Sequence, residues 1–395
     1  MKFFVMAVIL VILIILVLTK SKTHVLPFLL FVTTINFTKI LNIDLTVFLK
    51  VLFLLVYFFY ILQLNIKLRY MSNIFIIALV MAVNVVFAKF DNNYTFMSWL
   101  TAFIPLMTGL TALVINFRDI HKICVLKALV YLPFFSIILG FLLWPLGLVN
   151  PLSRGDYIGL AGVSESTNLA FFCLIGMMAG LIIYKRTGIM KYSYLMYLDY
   201  LFLIATLTRG GILAGTVIVL YDFIPFIRNC LRNRKRFFIL LVSIIVCIVP
   251  LKLVFTQLSE RMYDANGAIN TSGRTDAWTY IISLCQNKYL GNGYGYLKTR
   301  TDYQLTFFSA AHNEYVHLYT ELGWIGLIIF FVSVADVFLK KIVDDPTKIM
   351  LYILFLLSFL IYSIFDNTLT NYCFWLPFTL LLASIDFREV NSFNL

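Results

Sequence analysis

Apolar runs of about 16 to 22 residues recur along almost the whole chain, beginning at residue 3 and ending near residue 386. That is the length an α-helix needs to cross about 30 Å of hydrocarbon at 1.5 Å per residue. Inside a bilayer every backbone N–H and C=O must find a partner within the protein, so runs of this kind fold as helices. A β-barrel is excluded, because its strands would alternate polar and apolar residues and these runs do not. Only 13% of the residues are charged and 62% are hydrophobic, against roughly 25% charged in a soluble domain. The fold class is therefore an all-α polytopic membrane protein.

Spans are expected at about 3–19, 25–41, 46–64, 73–88, 96–115, 123–147, 168–184, 193–208, 210–227, 237–255, 323–339, 349–365 and 371–386, giving about 12 or 13 transmembrane helices. The run 25–41 is weakened by Asn36 and Lys39. An odd total would put the N-terminus outside. Residues 3–19 follow Lys2 with no small-residue cleavage site before Lys20 and Lys22, so they read as a retained span. The chain divides into an N-terminal transmembrane bundle (1–255), one large polar loop with short helices (256–322) and C-terminal transmembrane helices (323–395). No internal repeat is evident.

The net charge is +12, but the basic residues sit in short clusters between apolar runs, a pattern that sets topology and does not fit a nucleic-acid partner. The cluster Arg228, Arg232, Arg234, Lys235, Arg236, with Lys185, Arg186, Lys191 before it and Lys340, Lys341, Lys348 after it, belongs in the cytoplasm. Alternation then places 256–322, the loop 148–167 and the Leu207-Thr208-Arg209-Gly210 junction together on the opposite side. The six cysteines are scattered, and no pair has metal or redox spacing, so neither a disulfide nor a metal site is expected.

The long loop is where titratable groups and fixed cations share one segment. Trp278, Ile281, Ile282 and Cys285 recur at helical spacing after Thr271-Ser272-Gly273. They predict an amphipathic helix from near Arg274 to before Gly291. A second helix is expected from Ala310-Ala311-His312 toward Gly323, with Glu314, His317 and Glu321 on one face.

Arg209, at a hairpin tip between two spans, is either a cation snorkelling to headgroups or an anion site at the mouth of the bundle, and the second reading is favoured. At the expected helix start, the macrodipole disfavours Arg274, whereas a diphosphate would draw an arginine and free N–H groups together. Arg261 and Arg300 lie in the same loop, where solvated arginines are ordinary. They enter the candidate set only as substrate-binding groups, with Asn313 and Asn168. The segment Gly159 to Asn168 reads as a capped helix start, the slightly favoured reading, or as a substrate-facing re-entrant piece. His312, beside Asn313 at a membrane interface, is a candidate general base. His312 and His317 are five residues apart and do not share a helical face, and neither a zinc-binding His-Glu-x-x-His nor a nucleophile elbow is present.

In order, Asn168, then Leu207-Thr208-Arg209-Gly210-Gly211-Ile212-Leu213, then Ser272-Gly273-Arg274 with Trp278, then Leu290-Gly291-Asn292-Gly293-Tyr294-Gly295, then His312-Asn313 with nine residues to Gly323-x-x-Gly326, resemble the O-antigen polymerase and O-antigen ligase family of polyprenyl-diphosphate-dependent membrane glycosyltransferases. The resemblance covers about residues 155–340. It implies a GT-C-like helical fold in the bacterial inner membrane, with the site facing the periplasm. An undecaprenyl-diphosphate-linked oligosaccharide would be the substrate, and neither a cofactor nor a metal is required. By matching position, Arg209 and Arg274 would grip the diphosphate and His312 would activate the acceptor hydroxyl. Membrane lipids and a chain-length regulator protein are the partners this family suggests. The paired Arg-x10-Gly motifs of some polymerases are absent, so which loop arginine serves which substrate stays open. Polymerase is the expected activity, ligation to lipid A-core the nearest alternative. A flippase would carry cations along many spans, and a scaffold would leave Arg209 and His312 replaceable.

Overall fold

A computed structural model describes residues 1–19, 22–63, 66–154, 157–231, 256, 274–300 and 311–387. Arg261, the predicted span 237–255, and Arg232, Arg234, Lys235 and Arg236 of the basic cluster lie outside the described residues. The described residues are helical almost throughout. Its helices are α1 (Lys2–Leu18), α2 (Val25–Thr33), α3 (Phe37–Leu41), α4 (Thr46–Gln63), α5 (Leu68–Phe87), α6 (Phe96–Val114), α7 (Asp119–Leu143), α8 (Ser166–Thr187), α9 (Met190–Ala205), α10 (Arg209–Leu231), α11 (Arg274–Ser283), α12 (Glu314–Asp344), α13 (Ile349–Phe365) and α14 (Tyr372–Ser384). Among the described residues six helices are long and apolar enough to cross a membrane, and four shorter apolar helices accompany them. The chain is an all-α polytopic membrane protein, and among the described residues there is one antiparallel pairing of two-residue strands, Ser153–Arg154 with Tyr157–Ile158.

Helix α8 is the centre of the bundle. Its side chains from Leu169 to Ile183 are all buried, and α7, α9 and α14 pack around it. Small residues make that approach possible: Gly176 faces Asp199 of α9, and Gly180 faces the Tyr192 carbonyl. Elsewhere α10 lies along α13, α6 along α14, and α5 along α12.

Two expected elements come out differently, for local reasons. The predicted span 25–41 is two helices, α2 and α3. Asn36 interrupts the run by capping α3, its side chain accepting from the Lys39 N–H, a bond a continuous helix would not offer. The predicted span 323–339 is the second half of α12, whose backbone breaks at Gly323 (φ 68°, ψ −173°). The backbone groups released there are met by the segment 288–293. Asn292 and Gly293 donate to the Thr320 and Glu321 carbonyls at 3.0 and 2.9 Å, and Trp324 and Ile325 donate to the Lys288 and Tyr289 carbonyls at 2.9 and 3.2 Å. A side chain at position 323 would collide with the Tyr289 carbonyl, and the dihedrals lie where glycine alone is at ease. Asn84, buried on α5, ties this junction to the bundle: its amide donates to the Leu290 and Glu321 carbonyls and its oxygen accepts from Tyr294 N–H.

The bundle has two polar ends. At one, Asp386 takes Lys67 and Lys341 on one oxygen (2.9 and 3.0 Å) and Lys122 on the other (3.1 Å). Arg186 pairs with Asp345 at 2.7 Å, and Lys185 pairs with Asp222. The opposite end gathers the segments 144–154, 157–165, 206–209, 274–300, 311–313 and 366–371.

Candidate active site

A cavity of about 390 Å³ opens among these segments, bordered by Lys50, Asn168, Lys298, His312, Asp366 and Asn371 among others. The floor is a rigid ion cluster built from the predicted face of Glu314, His317 and Glu321. His317 Nδ1 meets Glu314 Oε1 and its Nε2 meets Glu321 Oε2, both at 3.0 Å. A carboxylate only accepts hydrogen bonds, so both ring nitrogens carry protons and the ring is a cation. The remaining carboxylate capacity is spent on backbone. Glu321 accepts from Gly295 N–H at 2.8 Å and Leu297 N–H at 2.9 Å, and Glu314 accepts from Leu369 N–H at 2.8 Å. Both glutamates are fully buried. The first two turns of α12 thus fix the 291–299 loop and the 366–371 linker relative to that helix.

His312 sits just before those turns in a left-handed conformation (φ 47°), which costs a non-glycine residue about 1–2 kcal/mol. Two neighbours hold it. Asn313 caps α12, accepting from Tyr315 and Val316 N–H, and Trp278 of α11 donates its indole N–H to the Ala311 carbonyl at 2.7 Å. The imidazole is about one-third exposed, and its Nδ1 lies 3.2 Å from Asp366 Oδ1. Asp366 is buried and accepts the Asn367 N–H with the same oxygen. With Nδ1 donating to Asp366, Nε2 keeps its lone pair and can take a proton from a substrate.

Arg274 lies on α11, which runs through the stretch where an amphipathic helix is expected, and that helix buries Ala277 and Ile281. Its guanidinium donates to the Phe365 carbonyl at 2.8 Å. Burial lowers its pKa while Asp366 opposes the shift, and a guanidinium stays charged regardless. Among the described residues Arg274 has no second hydrogen-bond acceptor, which leaves donors to offer an anion. Arg209 opens α10 half-buried, after Leu207 in a second left-handed conformation (φ 55°). The next residue, Gly210, presses on the Phe365 side chain so closely that a Cβ would collide with it. The Phe365-Asp366 step is therefore the common neighbour of the Arg209 junction, Arg274 and His312.

The other predicted residues divide. Asn168 borders the cavity and accepts from Asn371 Nδ2 at 3.0 Å. The Asn313 oxygen is spent on its helix cap. Arg300 pairs with Asp91 at 2.7 Å and stacks on Tyr296 at 3.9 Å, so its charge is used locally. Sequence reasoning missed Asp366, Asn367 and Asn371. The one acid in a polar linker between two apolar spans was the available signal. Asn367 brings an unmet acceptor, since its buried Oδ1 has no donor among the described residues, and it too borders the cavity.

Residues 194–331 match the family described as O-Antigen ligase. That segment, about a third of the chain, contains Arg209, Arg274 and His312, and leaves out α1 to α8 and the linker that carries Asp366. No curated protein matches the chain.

Proposed function

We propose that the chain is an O-antigen polymerase, a reading supported by the match of residues 194–331 to the family described as O-Antigen ligase. It would move a growing glycan from its polyprenyl diphosphate carrier to a lipid-linked repeat unit. The observation that carries this reading is the meeting of the Arg209 junction, Arg274 and the His312–Asp366 pair at Phe365-Asp366. His312 Nε2 takes the proton of the acceptor hydroxyl as its oxygen bonds to the sugar C1. The C1–O bond to the diphosphate breaks, and the departing diphosphate carries its new charge into the reach of Arg209 and Arg274. Fixed guanidinium groups away from bulk water are suited to that charge without reorganising, so the chemistry needs no metal. Asp366 holds the imidazole in the productive tautomer and balances its charge once protonated.

The basic end of the bundle, with Lys67, Lys122, Lys185, Arg186, Lys341 and Lys348, belongs in the cytoplasm by the excess of Lys and Arg there. The cavity then opens to the periplasmic face of the inner membrane, where a lipid-linked glycan is within reach. The family description favours a second reading, ligation of polysaccharide to lipid A-core, with the same donor chemistry.

Lipopolysaccharide banding in a deletion strain, complemented with wild type, Arg209→Ala or His312→Ala at matched membrane levels, separates the readings. Loss of the ladder with one repeat still on core is the polymerase result. Loss of every attached repeat, with long lipid-linked polymer accumulating, is the ligase result. A wild-type ladder from both variants would remove the site assignment altogether.

A further inference from the structure

Lys50 lies in the second turn of the apolar helix α4 with its side chain buried, 9% exposed. Its ammonium stands 5.4 Å from the Tyr372 ring, and it borders the same cavity as Lys298, which is exposed and repels it. Asp44 and Cys373 act on Lys50 from a distance, and Glu165 borders the same cavity. No carboxylate among the described residues comes within ion-pair distance of either lysine. A charge on a membrane helix without such a partner is expensive and marks a functional position. Two ammonium groups facing one volume are complementary to an anion.

A second observation extends this volume. The break between α2 and α3 leaves the backbone of 34–36 bordering a polar cavity of about 180 Å³, which shares Thr46, Asn168, Asn371 and Tyr372 with the first. Non-helical backbone among membrane helices is tolerated where it borders a wet cavity. The chamber therefore continues from His312 toward α2 and α4, a part of the chain outside the matched family segment.

Resting on the transferase reading above, we propose that α2, α3 and α4 form the acceptor subsite, in which Lys50 and Lys298 hold an anionic group of the acceptor glycolipid. That group is the diphosphate of its lipid carrier or the carboxylate of an acidic sugar. An acceptor held there extends its sugar toward His312 while the donor diphosphate occupies Arg209 and Arg274.

Equilibrium binding of farnesyl diphosphate and, separately, of D-glucuronate to the purified full-length protein tests this. If the anion is a diphosphate, wild type binds two farnesyl diphosphates per chain; if it is a carboxylate, it binds one farnesyl diphosphate and one glucuronate. Lys50→Gln with Lys298→Gln is expected to weaken the second site roughly tenfold or more. Lys298→Gln alone, at an exposed position, gives an intermediate loss, and Lys50→Arg restores binding, which separates charge from folding. Arg274→Gln should remove the first site and leave the second. Wild-type binding of both probes by the double lysine variant would overturn the proposal. Full farnesyl diphosphate binding by Arg274→Gln, with loss in the lysine variant, would instead sink the donor site while the lysine subsite stood.

Discussion

Asp386 and Asp366 are the acidic residues just beyond the ends of α14 and α13, at opposite ends of the bundle, and they are used in opposite ways. Asp386 is surrounded by Lys67, Lys122 and Lys341. Burial alone would raise its pKa, but the three ammonium groups outweigh burial and hold it well below the usual carboxylate range. Asp366 faces one imidazole whose second nitrogen has no partner among the described residues. Around it lie two of the three non-glycine residues with positive φ among the described residues, Leu207 and His312, and the unmet oxygen of Asn367. At the first end charge is spent on holding helices together. At the second, strain and unmet polar capacity are tolerated, the mark of a site shaped for something it binds.

The contrast can be broken by substitution. After the loss expected of His312→Gln, the largest effect is expected from Arg274→Gln, which should cut glycan transfer in membrane vesicles about 10²- to 10³-fold, the usual worth of a fixed group at a developing anion. Asp366→Asn should follow at about 10- to 100-fold, a part of what a general base supplies, with the protein present at wild-type levels. Equal activity in that variant would make the His312 contact incidental.

Gly323→Ala acts on folding. Forcing a β-carbon into that backbone region costs about 1–3 kcal/mol before its collision with Tyr289, so the melting temperature in detergent should fall. The Asp386 contribution has a definite pH sign: a carboxylate with a depressed folded pKa stabilises above its unfolded value near 4, and that stabilisation is lost as pH falls through the folded value. Wild type should therefore lose melting temperature on acidification below about pH 4 more steeply than Asp386→Asn. Arg300→Gln is expected to do least, leaving ladder length unchanged, because its charge is already engaged by Asp91. Loss of the ladder there would restore Arg300 to the substrate.

Much of the helical scaffold was legible because hydrocarbon leaves a chain few options. The expected spans 46–64 and 349–365 lie on α4 and α13 to within a residue or so. Asn36 broke 25–41 because a short polar side chain offers the backbone a competing bond, which hydropathy averaging hides. His312 and Arg274 were legible from their setting in a polar loop. Asp366 was not, since a single acid in a short linker looks like any interhelical turn until the fold brings it 54 residues back to His312. Lys50 was hidden for the opposite reason: one lysine scarcely lowers the hydropathy of an apolar run, and only packing shows that it borders a cavity. Asn313 and Arg300 are the converse, polar residues whose side-chain oxygen and charge are engaged by a helix cap and an ion pair that a sequence does not display.

The most direct measurement is the pairing of turnover with melting temperature for His312→Gln and Asp386→Asn in the purified protein, each assayed for glycan transfer from a lipid diphosphate donor. The expected result is a double dissociation. His312→Gln should lose turnover about 10²- to 10⁴-fold and melt at or above the wild-type temperature. Asp386→Asn, leaving three lysines without their counter-charge, should lose about 3 kcal/mol of stability while each folded molecule turns over normally. Turnover preserved in His312→Gln, or abolished in folded Asp386→Asn, would contradict the assignment of catalysis to one end of the bundle and cohesion to the other.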